Sequence, residues 1–345
     1  MIAILNPTCS LREKAQVVSL IEERGLRVHL DTTDGREWVG VLGPDAKAIA
    51  AELDALPGVQ EVRNVNAPYA LASRELHPKK TVVRVGDTEI GGPGLTLIAG
   101  PGAVESEEQI HATASIVARH GASILRGGTF KPRSSPYSFQ GLGLDGLRML
   151  SAAGKAHNLP IVTEVVSAED VEIIAEHADM LQVGARNMQN FRLLQAVGEA
   201  GLPVLLKRSM VATLDEMLLA AEYILDSGTP DVCLCERGIR TFVRDTQNTL
   251  DLAAIPLLQE RSHLPVLADP SHGTGVRRLV PSLARAAAAA GADGLLIEVH
   301  PTPNQALSDG DQSLDPDGFG TLIQELDAIA RTLGKSLAPN TEPDF

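Results

Sequence analysis

Eight short apolar runs, separated from one another by stretches of helical character, constrain this chain more than any other feature. They are LTLIAGP (95–101), SILRGG (123–128), IVTEVV (161–166), MLQVGA (180–185), PVLLKR (203–208), VCLCERG (232–238), LPVLADP (264–270) and GLLIEVH (294–300). Strands that are apolar on both faces belong to parallel sheets covered on both sides by helices. Eight such strand–helix units in roughly 250 residues are the count for a (β/α)8 barrel. An open doubly wound sheet is the structural alternative, and the lack of a GxGxxG turn argues against it. The expected fold class is therefore α/β, a TIM barrel over residues 91–335.

The N-terminal part follows a different pattern. IAILN reads as a strand, LREKAQVVSLIEERG as a helix ending at Gly, and LRVHLD and WVGVLG as two strands joined at Asp34-Gly35. AKAIAAELDALPG is a second helix and VQEVRNV a last strand. The order βαββαβ predicts a small ferredoxin-like sandwich over residues 1–70. Residues 71–90 read as a polar linker followed by a hairpin at Gly86-Asp87, placed at the bottom of the barrel, and 336–345 as a flexible tail.

The balance of charge limits the partners. With 30 Lys and Arg against 44 Asp and Glu, the net charge is −14, which argues against nucleic acid and against anionic membrane. No apolar run reaches the ~18 residues of a membrane span, and the N-terminus has no signal-peptide pattern. Three cysteines (Cys9, Cys233, Cys235) make no disulfide framework, so a cytoplasmic location is expected. Cys233 and Cys235 are read as packing residues on opposite sides of one strand.

In such a barrel, chemistry collects at the C-terminal ends of the strands. Here those ends carry Arg126, then Lys131, Arg133, Ser134 and Ser135, then Glu164, Arg186, Lys207, Arg208, Glu236, Arg237, Asp269, His272, Glu298 and His300, with Asp309 and Asp311 in the last loop. At least six cations thus converge on one face of an acidic chain. Such charges repel unless an anion sits among them, which points to a substrate with more than one phosphate or carboxylate. A second set, His272, Glu298 and Asp309, has the donor types of a divalent metal site.

These segments carry a family resemblance. LRGGTFKPRSSPYSFQGLG, QVGARNMQNF, PVLLKRSM, LCERGIRTF, ADPSHGTG and IEVHPTPNQALSDGDQSL resemble, in order, the signature segments of 3-deoxy-D-arabino-heptulosonate 7-phosphate (DAHP) synthases. The similarity is greatest to the type I branch with an N-terminal ferredoxin-like regulatory domain. It implies condensation of phosphoenolpyruvate with erythrose 4-phosphate, the first step of the shikimate pathway. By the matching motifs, Arg126, Lys131, Arg186, Lys207 and Arg237 would hold phosphoenolpyruvate, and Arg133 with Ser134 the sugar phosphate. Lys131, Glu164 and His272 would be catalytic, and His272, Glu298 and Asp309 would hold Mn, Fe, Co or Zn. The branch further implies a homotetramer with an aromatic amino acid effector, tyrosine or phenylalanine. Two other readings are a 3-deoxy-octulosonate 8-phosphate synthase-like enzyme and a non-catalytic aromatic amino acid sensor. KPRSS followed by PYSFQG, in place of a KANRSS-like sugar loop, favours the four-carbon sugar.

The chain departs from the family at one place. The first strand end reads GPG where the family has GPC, so Gly102 stands at the position of the missing metal-ligand cysteine. Without that thiolate a weakly held metal is expected, with activity in doubt. In the same stretch, Ser106 and Gln109 predict a capping box that starts the first barrel helix.

Overall fold

The computed structural model describes residues 1–33, 35–131 and 135–337. Two compact units result: Met1–Lys80 with Arg261–His263, and Thr81–Glu260 with the residues from Leu264 onward.

In the first unit the elements run β1 (Ile2–Leu5), α1 (Leu11–Glu23), β2 (Arg27–Thr33), β3 (Arg36–Leu42), α2 (Ala50–Asp54) and β4 (Val59–Arg63). The four strands form an antiparallel sheet in the order β2-β3-β1-β4. This is the expected ferredoxin-like topology. Helix α1 starts where Ser10 and Glu13 satisfy each other's backbone donors in a capping box. It turns Val17 and Ile21, four residues apart on one face, onto a core that includes Leu5, Val39, Val41 and Leu53. Asp34, of the predicted β2–β3 turn, lies outside the described residues; Gly35 beside it has φ +75°. Leu71, Ala72, Ser73 and Leu76, from the polar-looking stretch after the sandwich, are buried.

The second unit opens with a hairpin, β5 (Val83–Val85) and β6 (Thr88–Ile90). Eight parallel strands follow: β7 (Gly94–Gly100), β8 (Ile124–Arg126), β9 (Ile161–Val165), β10 (Met180–Val183), β11 (Val204–Lys207), β12 (Val232–Glu236), β13 (Val266–Ala268) and β14 (Gly294–Glu298). Each pairs with its successor, and β14 pairs back to β7 from Gly294↔Thr96 to Glu298↔Gly100, which closes the barrel. Each of the eight apolar runs falls on one of these strands, β7 starting one residue before its run. The helices between and after them are α3 (Glu107–Arg119), α4 (Gly143–Ala156), α5 (Val171–Ala175), α6 (Phe191–Glu199), α7 (Leu214–Asp226), α8 (Ala254–Arg261), α9 (Pro270–Thr274), α10 (Val280–Ala289) and α11 (Pro316–Thr332). A short β15 (Ser336–Leu337) pairs in parallel with the start of β7 at Gly94 and Leu95.

Strand parity sets the height of the site. Every barrel strand joins a single buried cluster with Val83, Val85 and Ile90 of the hairpin, through Ile98, Ile124, Val162, Met180, Leu205, Cys233, Leu267 and Leu296, and β12 adds Cys235 as well. This apolar layer, plugged by the hairpin, is the barrel core. Side chains two residues apart share a face of a strand. Two positions beyond the core layer stand Gly100, Arg126, Glu164, Gln182, Lys207, Cys235, Asp269 and Glu298. The next layer up is thus mostly polar and charged, and it faces the C-terminal mouth.

The same parity corrects the reading of the cysteines. Cys233 and Cys235 are two apart, lie on the same side of β12 and belong to the same cluster. Burial raises the pKa of both thiols, so they stay protonated and act as packing groups. The capping box is corrected in part as well. Ser106 does accept from Gln109 N (3.1 Å), but the Gln109 side chain reaches past it and accepts from Glu105 N (3.2 Å).

Candidate active site

A cleft of about 280 Å3 opens above the polar layer, lined among others by Lys131, Glu164, Arg186, Arg237, His272 and Asp309. Arg126, Lys207 and Glu298 lie beneath it, nearly or fully buried. The structure therefore brings together all the expected site residues except Arg133 and Ser134, which lie outside the described residues. Ser135, beside them, lines the cleft with Ser138, Gln247 and Gln312.

At one end of the cleft one donor atom each of His272, Glu298 and Asp309 lies within 4.8 Å of the others. His272 Nδ1 bonds Asp269 Oδ2 at 2.7 Å, while Nε2 faces Glu298 Oε1 at 3.5 Å. A buried carboxylate on Nδ1 assigns the proton there and leaves the Nε2 lone pair for a metal. Asp269 can do this because it caps the short helix α9, accepting from His272 N at 2.9 Å. One nitrogen and two carboxylates, with the imidazole already oriented, fit a divalent ion. Residue 102 belongs to the same set: a Cβ built on Gly102 would lie 2.9 Å from Asp309 Oδ2 and 3.1 Å from Glu298 Oε1. The position of the missing cysteine thus points into the three ligands.

Each buried acid here carries a cation. Arg126 Nη1 donates to Glu298 Oε1 at 2.7 Å, Lys131 Nζ to Asp309 Oδ2 at 2.9 Å, and Lys207 Nζ to Asp269 Oδ2. Glu298 Oε2 also accepts from Gln312 Nε2 (2.6 Å) and Asp309 Oδ2 from Ser308 Oγ (2.6 Å). Burial by itself raises the pKa of Asp269 and of Asp309. His272 and Lys207 outweigh it at Asp269, Lys131 and His272 at Asp309, and both carboxyls end well below the ordinary range.

Two cations are different. Among the described residues, Arg186 and Arg237 have no acidic partner, although Arg237 is buried. Burial lowers the Arg237 pKa and the nearby Arg186 adds to this, while Asp269 opposes it. Two guanidinium groups facing an open cleft in this way have the chemistry to seat an anion.

Glu164 is held from two sides. Gln182 Nε2 donates to its Oε2 at 3.2 Å, and the backbone of Gly184 passes so close that a Cβ there would fall 1.9 Å from Oε1. Gly184→Ala is expected to displace the Glu164 carboxylate and lower turnover severalfold with little change in melting temperature. A kinetic assay beside a thermal melt checks this. Gly100, with φ +153°, likewise lets β7 approach β8, where a Cβ would meet Arg126 O at 2.1 Å.

Parity also removes one cation from the expected cluster. Arg208 follows the inward Lys207 by one residue, so it faces out and pairs with Glu236 (2.8 Å) and Asp251 (3.0 Å). The sequence places Asp269 at a strand end without assigning it a role, and Gln182, Gln312 and Glu105 are not anticipated by it. For Asp269 the signal was present, an Asp three residues before His at a Pro-led helix start. Glu105 accepts from Leu307 N (2.8 Å) and contacts His300 Nε2 (3.2 Å), which anchors the loop that carries Asp309. Nothing local in the sequence joins residues 105 and 300.

Comparisons with known proteins identify the family. The DAHP synthetase I family matches residues 77–332, and the DAHP synthase ferredoxin-like domain matches residues 1–67. The phospho-2-dehydro-3-deoxyheptonate aldolase of Thermotoga maritima is 47% identical over 334 residues, 97% of this chain and 99% of that protein. A crystal structure of that enzyme superposes with a TM-score of 0.78 at 46% identity, covering 97% of this chain and 98% of the other. The 2-dehydro-3-deoxyphosphooctonate aldolase of Koribacter versatilis is 33% identical over 253 residues, 67% of this chain and 90% of its own length. This chain belongs to the DAHP synthetase I family, with the family's ferredoxin-like domain at its N-terminus.

Proposed function

We propose that this chain condenses phosphoenolpyruvate with erythrose 4-phosphate to give DAHP and inorganic phosphate. The observation that carries this reading is the anion seat of Arg186 and Arg237, with Lys131, beside the His272, Glu298 and Asp309 set in one cleft. Near-full-length identity to the Thermotoga enzyme favours the four-carbon sugar over the pentose phosphate of the octulosonate enzymes, whose likeness is lower and covers less of this chain.

Arg186 and Arg237, with Lys207 and Arg126 beneath, would hold phosphoenolpyruvate by its phosphate and carboxylate. Arg133 and Ser134 would grip the sugar phosphate. The enol carbon attacks the aldehyde carbon and forms the new C–C bond. Lys131 would give a proton to the aldehyde oxygen as charge develops on it. Glu164 would take a proton from the water that adds to the cationic carbon, after which the C–O bond to phosphate breaks. The fixed cations supply charge stabilisation without reorganisation. A divalent ion on His272, Glu298 and Asp309, drawn from Mn, Fe, Co or Zn, would supply Lewis-acid polarisation of the aldehyde.

The ferredoxin-like domain supports regulation; tyrosine or phenylalanine as the effector, and a cytoplasmic homotetramer, are what the family resemblance implies. No helix among the described residues is long and apolar enough to cross a membrane. The test is phosphate release from both substrates, with and without Mn(II). Release that needs both substrates and rises with Mn(II) is expected; none under any condition supports the non-catalytic sensor instead. Titrating tyrosine and phenylalanine to millimolar levels tests regulation, and an unchanged rate rejects it.

A further inference from the structure

We propose that Lys131 is a built-in rival of the divalent ion, and that an anion seated at Arg186 and Arg237 releases it. The anion arm rests on the substrate assignment above. Glu298 and Asp309, the two carboxylates of the ligand set, each already hold one cation, Arg126 at 2.7 Å and Lys131 at 2.9 Å. A divalent ion entering this neutralised pair meets two like charges at close range.

The two cations differ in how easily they leave. Arg126 sits on a barrel strand, with its side chain 6% exposed beneath the cleft. Lys131, with its side chain 10% exposed, is nearly as buried, but it lies on a loop, lines the cleft, and carries its charge on a flexible four-carbon stem. Its second bond is to Gly102 O at 2.8 Å, so the ammonium rests against the residue that lacks the family's thiolate. A thiolate would add a negative charge to the set and help offset an incoming ion. Glycine adds none, and Lys131 is left as the local counter-charge. Arg186 and Arg237 lie in the same cleft without acidic partners among the described residues. An anion bound to them gives Lys131 an alternative partner. As the ammonium turns to that anion, Asp309 Oδ2 becomes available to the metal. Metal and anion then favour each other's binding, and the coupling is reciprocal.

The experiment is Mn(II) binding to the whole protein, read by the electron paramagnetic resonance signal of free Mn(II) and corrected for chelation by phosphoenolpyruvate. Saturating phosphoenolpyruvate is expected to tighten Mn(II) binding within the roughly 5- to 150-fold range of coupled sites. Lys131→Met is expected to bind Mn(II) about tenfold or more tightly without phosphoenolpyruvate, the weight of one partly buried like charge removed, and to lose the enhancement. Lys131→Arg keeps the charge and should keep the weak binding. If phosphoenolpyruvate binds, as followed by calorimetry, and leaves Mn(II) affinity unchanged, the coupling is wrong. If Lys131→Met binds Mn(II) no more tightly than the parent protein, the rivalry is wrong. If phosphoenolpyruvate does not bind at all, the substrate reading and the anion arm fail together, while the Lys131 variants still decide the rivalry in Mn(II) alone.

Discussion

Replacing Gly102 by cysteine is expected to turn a weak metal site into a tight one. A Cβ at this position points at Asp309 Oδ2 (2.9 Å) and Glu298 Oε1 (3.1 Å), so the thiolate beyond it joins His272, Glu298 and Asp309 as a fourth ligand. The carboxylate oxygens sit at the ends of side chains and can give way, but Asp309 Cβ, 3.0 Å from the new Cβ, means that the loop carrying Asp309 must also shift by a few tenths of an ångström. The added sulfur shifts preference toward Zn and other borderline metals. Losing an outer-shell partner costs a metal site about 10- to 100-fold in affinity. A directly bound thiolate should be worth at least the upper end of that range. Metal content after desalting, and turnover with and without added Mn(II), check this. The parent protein is expected to lose its metal and to respond to Mn(II), whereas the variant keeps metal and turns over without supplement. If neither quantity changes, residue 102 is not a ligand position and the metal reading fails there.

Asp269→Asn is expected to be the most destabilising single change in the site. Asp269 is fully buried, and its Oδ2 serves both Lys207 and His272 Nδ1. The amide leaves the buried ammonium of Lys207 without a counter-charge, a loss of about 3–5 kcal/mol. It can also donate to Nδ1, which drives the imidazole proton to Nε2 and removes the lone pair that faces the metal site. Denaturant unfolding and Mn(II) binding report the two effects separately. The pH dependence follows from the same contacts. The Asp269 and Asp309 carboxyls are both held below their unfolded value of about 3.9. Their contribution to stability is therefore full above that pH and is lost as pH falls through the lower folded values. A melting temperature that declines below about pH 4, more steeply in the parent protein than in Asp269→Asn, is the expected result.

The legibility of the site followed chain distance. Arg126, Lys207, Asp269 and Glu298 are marked as inward because each stands two residues after a core position on its own strand. The same parity turns Arg208 outward and puts the two cysteines on one side of β12. Asp269 was readable from its place three residues before His272. Glu105 and His300, 195 positions apart, were not, because only barrel closure brings β7 and β14 side by side.

By itself the sequence determined the fold class, the eight strands, the ferredoxin-like sandwich, the family and the donor types of the site. Each of these depends on local periodicity or on motifs read in order along the chain. The tertiary structure alone decided which charges are spent on each other and which are left for a ligand. Arg126, Lys131 and Lys207 are engaged with Glu298, Asp309 and Asp269, whereas Arg186 and Arg237 have no acidic partner among the described residues. It also decided that position 102 points at Asp309 and Glu298. The physical reason is that ion pairing depends on separations of a few ångströms between residues far apart in the chain, such as Lys131 and Asp309 at 178 positions, and those separations exist only once the barrel has closed.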